Sequence, residues 1–305
     1  MRVSMNWLQD LVEHGLSAQE LSDRLTVAGL EVENIEAQGY LSPKVLVGLI
    51  DRVEPVEGKD QIKVIGVDLG GGHRVQVVSG APNMTPDTIG RRVPVALTGA
   101  TVFDPYASPA KPRAVKPSKL YGHQSEAVLC STMELGLNDI HDDVMILGGD
   151  APTGIPIATM VEPGPDAFAD TILTIDILPN IARCMSMNGI ALEVASLTDS
   201  DFDARFETTE LNFESSELNP VSADPDLCGQ FFAGLIEGIE VKDSPLWMQR
   251  RLVALGMEPR NNVVDVSNYV MMELGQPTHM YDANELAQLQ LGVRPARSGE
   301  SFKPL

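Results

Sequence analysis

From Val45 to Val102 the chain runs as short β-branched segments broken by glycine and proline, and few folds accommodate that pattern. VLVGLIDRVEPV, QIKVIGVDLG and HRVQVVSG read as strands, RRVPVALTGATV continues them, and AVLCSTMELGL reads as a strand running into a short helix. Several short strands with closely spaced turn signals predict a small β-barrel. The Gly70-Gly71-Gly72 tract between two runs is expected to be a hairpin turn. A phosphate-cradling loop would need a following helix and a Lys-Ser/Thr ending, and neither follows.

The flanks read differently. The first 40 residues are expected to be helical: Ser4 caps a helix carrying Trp7, Leu8, Leu11 and Val12, ended by His14-Gly15. Ser17 and Glu20 have capping-box spacing and open a second helix with Leu21 and Leu25 inward, stopped at Gly29. Two short helices cannot fold alone, so they must dock on something else. Residues 101–119, with four prolines, read as an extended, mobile loop able to sweep a ligand face. TILTIDILPN is expected to be a strand, followed by a helix with Ile190, Leu192, Val194 and Leu197 among its apolar positions. Residues 199–220 are acidic, poor in apolar side chains, and read as a linker. Beyond them CGQFFAGLIEG reads as a strand, Leu246 to Leu255 as a helix behind Ser244-Pro245, and NNVVDVSNYVMMELGQ as a strand entering a helix.

Charge narrows the function. The net charge of −21 argues against a generic nucleic-acid binder. The imbalance is uneven, because residues 161–305 hold nine basic and 23 acidic side chains. Against that background Arg91, Arg92, Lys111, Arg113, Lys116 and Lys119 fall in one stretch with a single anion, Asp104. Such a block is either a confined polyanion site or an exposed loop that happens to be basic. No run of about 18 apolar residues predicts a membrane span, and MRVSMNWLQD lacks the apolar core of a signal peptide. Cys130, Cys184 and Cys228 are far apart, which suits a reducing, cytoplasmic setting better than a disulfide scaffold or a zinc ribbon. His73, His123 and His141 with Cys130 lack metal-ligand spacing, and Asp199, Asp201 and Asp203 lack the glycine and glutamate of a calcium loop. Cys130 and the Met271-Met272 pair are expected to pack in cores.

Four stretches carry a resemblance. SPLWMQRRLVALGMEPRNNVVDVSNYVMMELGQPTHMYDANEL is similar nearly end to end to the B3/B4 proofreading domain of the bacterial phenylalanyl-tRNA synthetase β subunit. LPNIARCMSMNGIALEVASLT resembles that family's signature at the end of its first structural domain. VVSGAPNMTPDTIGRRVPVAL with SKLYGHQSEAVLCSTMELGL resembles its tRNA-binding module, and MRVSMNWLQDLV its opening. The order of the stretches matches the family. The chain departs from it at VEGKDQI, at Ala127 in place of Gly, at Glu258 in place of Arg, and at Arg260 in place of an apolar residue.

The resemblance implies an α+β, multidomain chain. A small OB-fold β-barrel (residues 41–149) would be inserted in an α/β N-terminal domain (1–40 with 150–198). The acidic linker (199–220) and a partial α+β B3/B4 editing domain (221–305) would follow, exposing an unpaired strand edge and core face. It implies tRNA binding by Lys59, Lys63, Arg91, Arg92, Lys111, Arg113, Lys116 and Lys119, with Tyr121 able to stack on a base. His279, Ser267 and Asn268 fall on editing-pocket positions for tyrosyl-tRNA(Phe), although this chain alone is not expected to edit. The implied partners are tRNA(Phe) and the synthetase α subunit, in a heterotetramer of two α and two β, with no membrane and no DNA. ATP and Mg2+ would serve the full ligase, with no cofactor in this chain. The alternatives are a free-standing tRNA-binding protein without catalysis and a trans-editing aminoacyl-tRNA hydrolase.

Overall fold

A computed structural model of the chain describes residues 1–39, 42–107, 111–149, 151–159, 170–203, 219–221, 226 and 228–303. Among them the strands are β1 (Arg2–Ser4), β2 (Val32–Gln38), β3 (Val45–Val56), β4 (Lys59–Asp68), β5 (Arg74–Ser79), β6 (Arg92–Leu97) and β7 (Thr101–Asp104). There follow β8 (Lys111–Ala114), β9 (Ser118–Leu120), β10 (His123–Ser125), β11 (Ala127–Leu129), β12 (Asp170–Ile175), β13 (Asn219–Val221) and β14 (Gln290–Gly292). The helices are α1 (Met5–Gln9), α2 (Ala18–Val27), α3 (Met187–Thr198), α4 (Leu246–Ala254) and α5 (Asn262–Leu274). Contacts group residues 1–205 with 241–278 as one unit, and 206–240 with 279–305 as another. No helix among the described residues is long and apolar enough to cross a membrane.

In the first unit, β1, β12 and β2 form an antiparallel sheet with β12 in the centre. The expectation that residues 1–40 are helical is corrected here, because β1 and β2 are strands. Their partner lies far along the chain, with Leu173 opposite both Val3 and Ile35. Ser4 serves both layers: its hydroxyl accepts from the Trp7 amide at 3.0 Å and donates to Asp170 Oδ2 at 2.6 Å. Helix α1 ends at Gln9, not at His14, because Val12 forms a β-bridge with Phe202 and the Leu11 carbonyl accepts from Asp203 N. Helix α2 has the expected reciprocal box, with Glu20 N bonded to Ser17 Oγ and Ser17 N to Glu20 Oε2. Those bonds from Ser17 hold the Glu20 carboxyl below its usual range. Gly29, at φ +93°, closes α2, with Leu30 N reaching back to the Leu25 carbonyl. Trp7, Leu8, Leu21, Leu25, Leu173, Ile175, Ile190 and Val194 share this core. Gly189 of α3 is required by close approach, since a Cβ there would sit 1.8 Å from the Arg183 carbonyl oxygen.

Strands β11, β6, β3, β4 and β5 form a five-stranded antiparallel sheet in that order. The ladder shifts between Ile50 and Arg52, and this bulge lets one long strand pair β6 with its first half and β4 with its second. The sheet nearly closes: Glu126 N donates to Gln76 O at 2.9 Å, and Val78 N to Ser125 Oγ at 3.1 Å. Ile65, Val67, Val77, Val93 and Val95 fill its interior. Gly70, Gly71 and Gly72 all have positive φ and make the expected hairpin, closed by Leu69 N donating to His73 O.

Two local expectations around the barrel are corrected. The proline-rich stretch 101–119 is largely paired, because β7 with β8 and β9 with β10 form hairpins. Residues 108–110 of that stretch lie outside the described residues. After β11 the chain makes turns, not a helix: Ser131 N bonds Glu134 Oε2 and Glu134 N bonds Ser131 Oγ, so the turn closes on itself. Cys130 is buried in this region, and burial pushes its thiol well up, consistent with packing.

The Val263–Val266 run is helical, not a strand, because the Asn261 side chain accepts from Val263 N and Val264 N and starts α5 there. Leu246 and Val253 of α4 pack in the cluster with Val47, Leu135 and Leu147. Leu255, Tyr269 and Met272 pack with the N-terminal core. Trp7 stacks on Tyr269 at 4.6 Å, and Trp247 meets the same ring edge-on at 5.3 Å. Arg251 lies over both indoles and donates to Tyr269 Oη at 2.9 Å, while Tyr269 Oη donates to Glu273. Burial pushes the Tyr269 phenol far above its usual range.

The second unit holds the parallel pair β13 and β14. CGQFFAGLIEG is not a strand: residues 228–238 carry no ladder, and Phe232 and Ile236 are 86% and 67% exposed. Alternating apolar side chains make a strand only against a facing surface, and no described residue supplies one here. Most of the acidic stretch read as a linker, residues 204–218, lies outside the described residues.

Candidate nucleic-acid interface

Two of the predicted RNA-contacting groups, Lys59 and Tyr121, lie at neighbouring turns of the barrel. Gly58, at φ +72°, turns β3 into β4 and presents Lys59. Tyr121 (φ +51°) and Gly122 (φ +85°) form the two-residue tip between β9 and β10. Two successive positive φ angles match the twist of a tight hairpin, but a tyrosine in that conformation is strained. Lys59 Nζ lies 5.8 Å from the Tyr121 ring centroid, a cation–π distance. The tyrosine stays 56% exposed beside exposed Leu120.

The hairpin is pinned at its base. Gln76 Nε2 donates to Gln124 O at 2.8 Å, Gln76 N donates to Glu126 Oε2 at 3.0 Å, and Arg52 Nη2 donates to Gln76 Oε1 at 3.1 Å. These anchors escaped sequence reasoning. The signal that could have found the tip is Tyr-Gly between two short polar strands.

The cations predicted from 91–119 stand in three different environments. Arg91 pairs with Asp243. Arg113 pairs with Glu134 at 3.2 Å and approaches Asp104 at 4.0 Å. Arg92 is half-buried at the start of β6, with Nε sealed from solvent and without a hydrogen-bond partner among the described residues. Lys111, Lys116 and Lys119 are exposed, as is Lys59, while Lys63 is half-buried on β4. None of these five lysines makes an ion pair with a described residue. Asp243 and Glu134, distant in sequence, thus neutralise two arginines whose local stretch holds one acid.

The editing-pocket candidates fall in different units. Ser267 and Asn268 lie on α5 in the first, and His279 is an exposed residue of the second. Ser267 Oγ donates to the Thr278 carbonyl at 2.9 Å and lies 2.7 Å from Thr278 Oγ1. A cavity of about 190 Å³ in the first unit is lined by Asn83, Arg91, Asp243, Gln249, Glu258 and Arg260 among others, and by none of those three candidates. Glu258 and Arg260 pair with each other at 2.9 Å. Among the described residues no group of three or more His, Cys, Asp or Glu side chains is placed to hold a metal ion.

Residues 45–156 match the family described as a putative tRNA binding domain, and residues 227–305 match the B3/4 domain. The whole chain is 37% identical to a phenylalanine–tRNA ligase beta subunit of Salinibacter ruber and covers 37% of it. It is 38% identical to the subunit of the same name from Symbiobacterium thermophilum, of which it covers 33%. The figures for Burkholderia lata are 38% and 37%, again over the whole chain. The chain therefore spans about a third of the length of the curated relatives it matches.

Proposed function

We propose, from a chain similar throughout its length to phenylalanine–tRNA ligase beta subunits, that this protein is the tRNA-binding arm of such a ligase. What carries the reading is the barrel surface. In a chain of net charge −21 it presents five lysines that pair with no described carboxylate, one of them set against an exposed tyrosine. Phosphates attract unpaired cations, and a curved sheet gives RNA a track to lie along.

The barrel of residues 41–149 is an OB-fold inserted into the N-terminal domain of residues 1–40 and 150–198. Sheet β1-β12-β2, which joins strands from either side of the barrel, supports that arrangement. Residues 221–305 are part of an editing domain. The working partners are tRNA(Phe) and an α subunit, two of each subunit to the assembly. The free cysteines support a reducing, cytoplasmic setting. ATP and Mg2+ serve the full ligase.

Editing belongs to the intact subunit. A site that accepts phenylalanine discriminates weakly against an isostere bearing one more hydroxyl, so a second site must hydrolyse tyrosyl-tRNA(Phe). His279 is the positioning or proton-accepting group near the terminal adenosine, and Ser267 and Asn268 fall on editing-pocket positions.

The test is tRNA binding against salt. Wild type should lose affinity steeply as salt rises. Changing Lys59, Lys111, Lys116 and Lys119 together to Gln should weaken binding and flatten the log–log slope by about one per phosphate contact removed. A flat response in wild type, or an unchanged slope in the variant, overturns the reading.

A further inference from the structure

The Tyr121 tip has more structure than a phosphate site requires. Its cation, Lys59, stands between Glu57 and Asp60 in an exposed turn, so the local charge there is not positive. Lys59 is instead set against the face of an aromatic ring. That ring sits at a positive φ that glycine or asparagine would adopt at lower cost. Strain kept at an exposed tip points to a role for the side chain and not for the turn. The base of the hairpin is fixed by Ser125, Gln76 and Glu126, and the ring is braced by Lys59 from the neighbouring turn. A platform held at both ends loses little freedom when a ligand lands on it.

A planar, exposed ring with a cation on one side offers a stacking surface on the other. Bases inside a duplex are already stacked on each other and cannot use it; an unpaired base can. We propose that Tyr121, braced by Lys59, is a stacking platform for a single unpaired nucleobase, so that the barrel favours RNA with an extruded base over fully paired RNA. This rests on the tRNA-binding reading and specifies what the site takes.

The test uses the whole chain and two fluorescein-labelled RNA hairpins that differ only in one bulged uridine, with full-length tRNA as a third ligand. Wild type should bind the bulged hairpin about tenfold more tightly than the paired one. Tyr121→Phe should keep that preference. Tyr121→Asn, which removes the ring but suits the backbone, should abolish it while leaving affinity for the paired hairpin within about twofold. Lys59→Gln should lower the ratio of bulged to paired affinity, whatever it costs in paired-hairpin binding through the lost phosphate contact. Wild type that binds tRNA in a salt-dependent way but ignores the bulge overturns the platform alone, as does a Tyr121→Asn variant that keeps the preference. Wild type that binds none of the three RNAs overturns the tRNA-binding reading along with it.

Discussion

Helix α4 and the segments 228–240 and 279–303 all fall within the stretch that matches the B3/4 domain, yet their apolar side chains have opposite fates. Leu246, Leu252, Val253 and Ala254 are buried, and Asp265 is fully buried with its carboxylate held by Ser244 Oγ and Arg260 N. Phe232, Ile236 and Phe302 stand in solvent. Likeness in sequence therefore does not by itself say where a core lies. A core forms where apolar spacing meets an opposing apolar surface, as α4 meets Leu135 and Leu147.

The sharpest way to break this contrast is truncation. Leu252→Ala should lower unfolding stability by about 2–5 kcal/mol, whereas Phe232→Ala should stay within about 0.5 kcal/mol of wild type, both read from urea midpoints. Comparable losses would mean that Phe232 is buried in solution. A somewhat smaller effect is expected from the carboxylates. Asp265→Ala strands the Ser244 hydroxyl and the Arg260 amide, and should cost about 1–3 kcal/mol in thermal unfolding. Asp282→Ala removes only exposed bonds donated by Asn284 N and Nδ2 and should change little.

Acid titration sharpens the comparison further, with the least change in stability. Burial raises the Asp170 carboxyl above its usual value, partly offset by the Ser4 hydroxyl and the Arg250 charge. The folded state therefore holds that proton longer than the unfolded chain does. This component of stability is full below the unfolded value and is lost as pH rises through the raised one. Glu300, bonded to Arg294 and to Arg297 N, is pushed down to about 2. Its local pairing is present above the ordinary value and lost as pH falls through about 2. Carboxyl NMR titration should show the two shifts in opposite directions. Asp170→Asn should remove the first component from the pH profile of the urea midpoint, and an unchanged profile would rule that assignment out.

What was legible in the sequence was local. Ser4, Ser17-Glu20 and the three glycines at 70–72 act within one turn, and β3 to β6 announce themselves by β-branched runs. Strands β1 and β2 were hidden because their pattern is largely polar and their partner β12 lies far away. NNVVDV looked like a strand because β-branched residues favour that state, and the Asn261 cap overrode them. At the site, the residue types were legible but their company was not. Nothing near Arg91 in sequence announces Asp243, and Lys59 and Tyr121 meet only because two turns of the barrel converge.

The aromatic cluster around Tyr269 has a practical consequence. It contains both tryptophans of the chain, Trp7 and Trp247, so tryptophan emission from this protein reports one seam, where α4 and α5 meet the N-terminal layer. An unfolding curve recorded by tryptophan emission would time the parting of that seam, while the barrel would be followed through its tyrosines, Tyr106 and Tyr121.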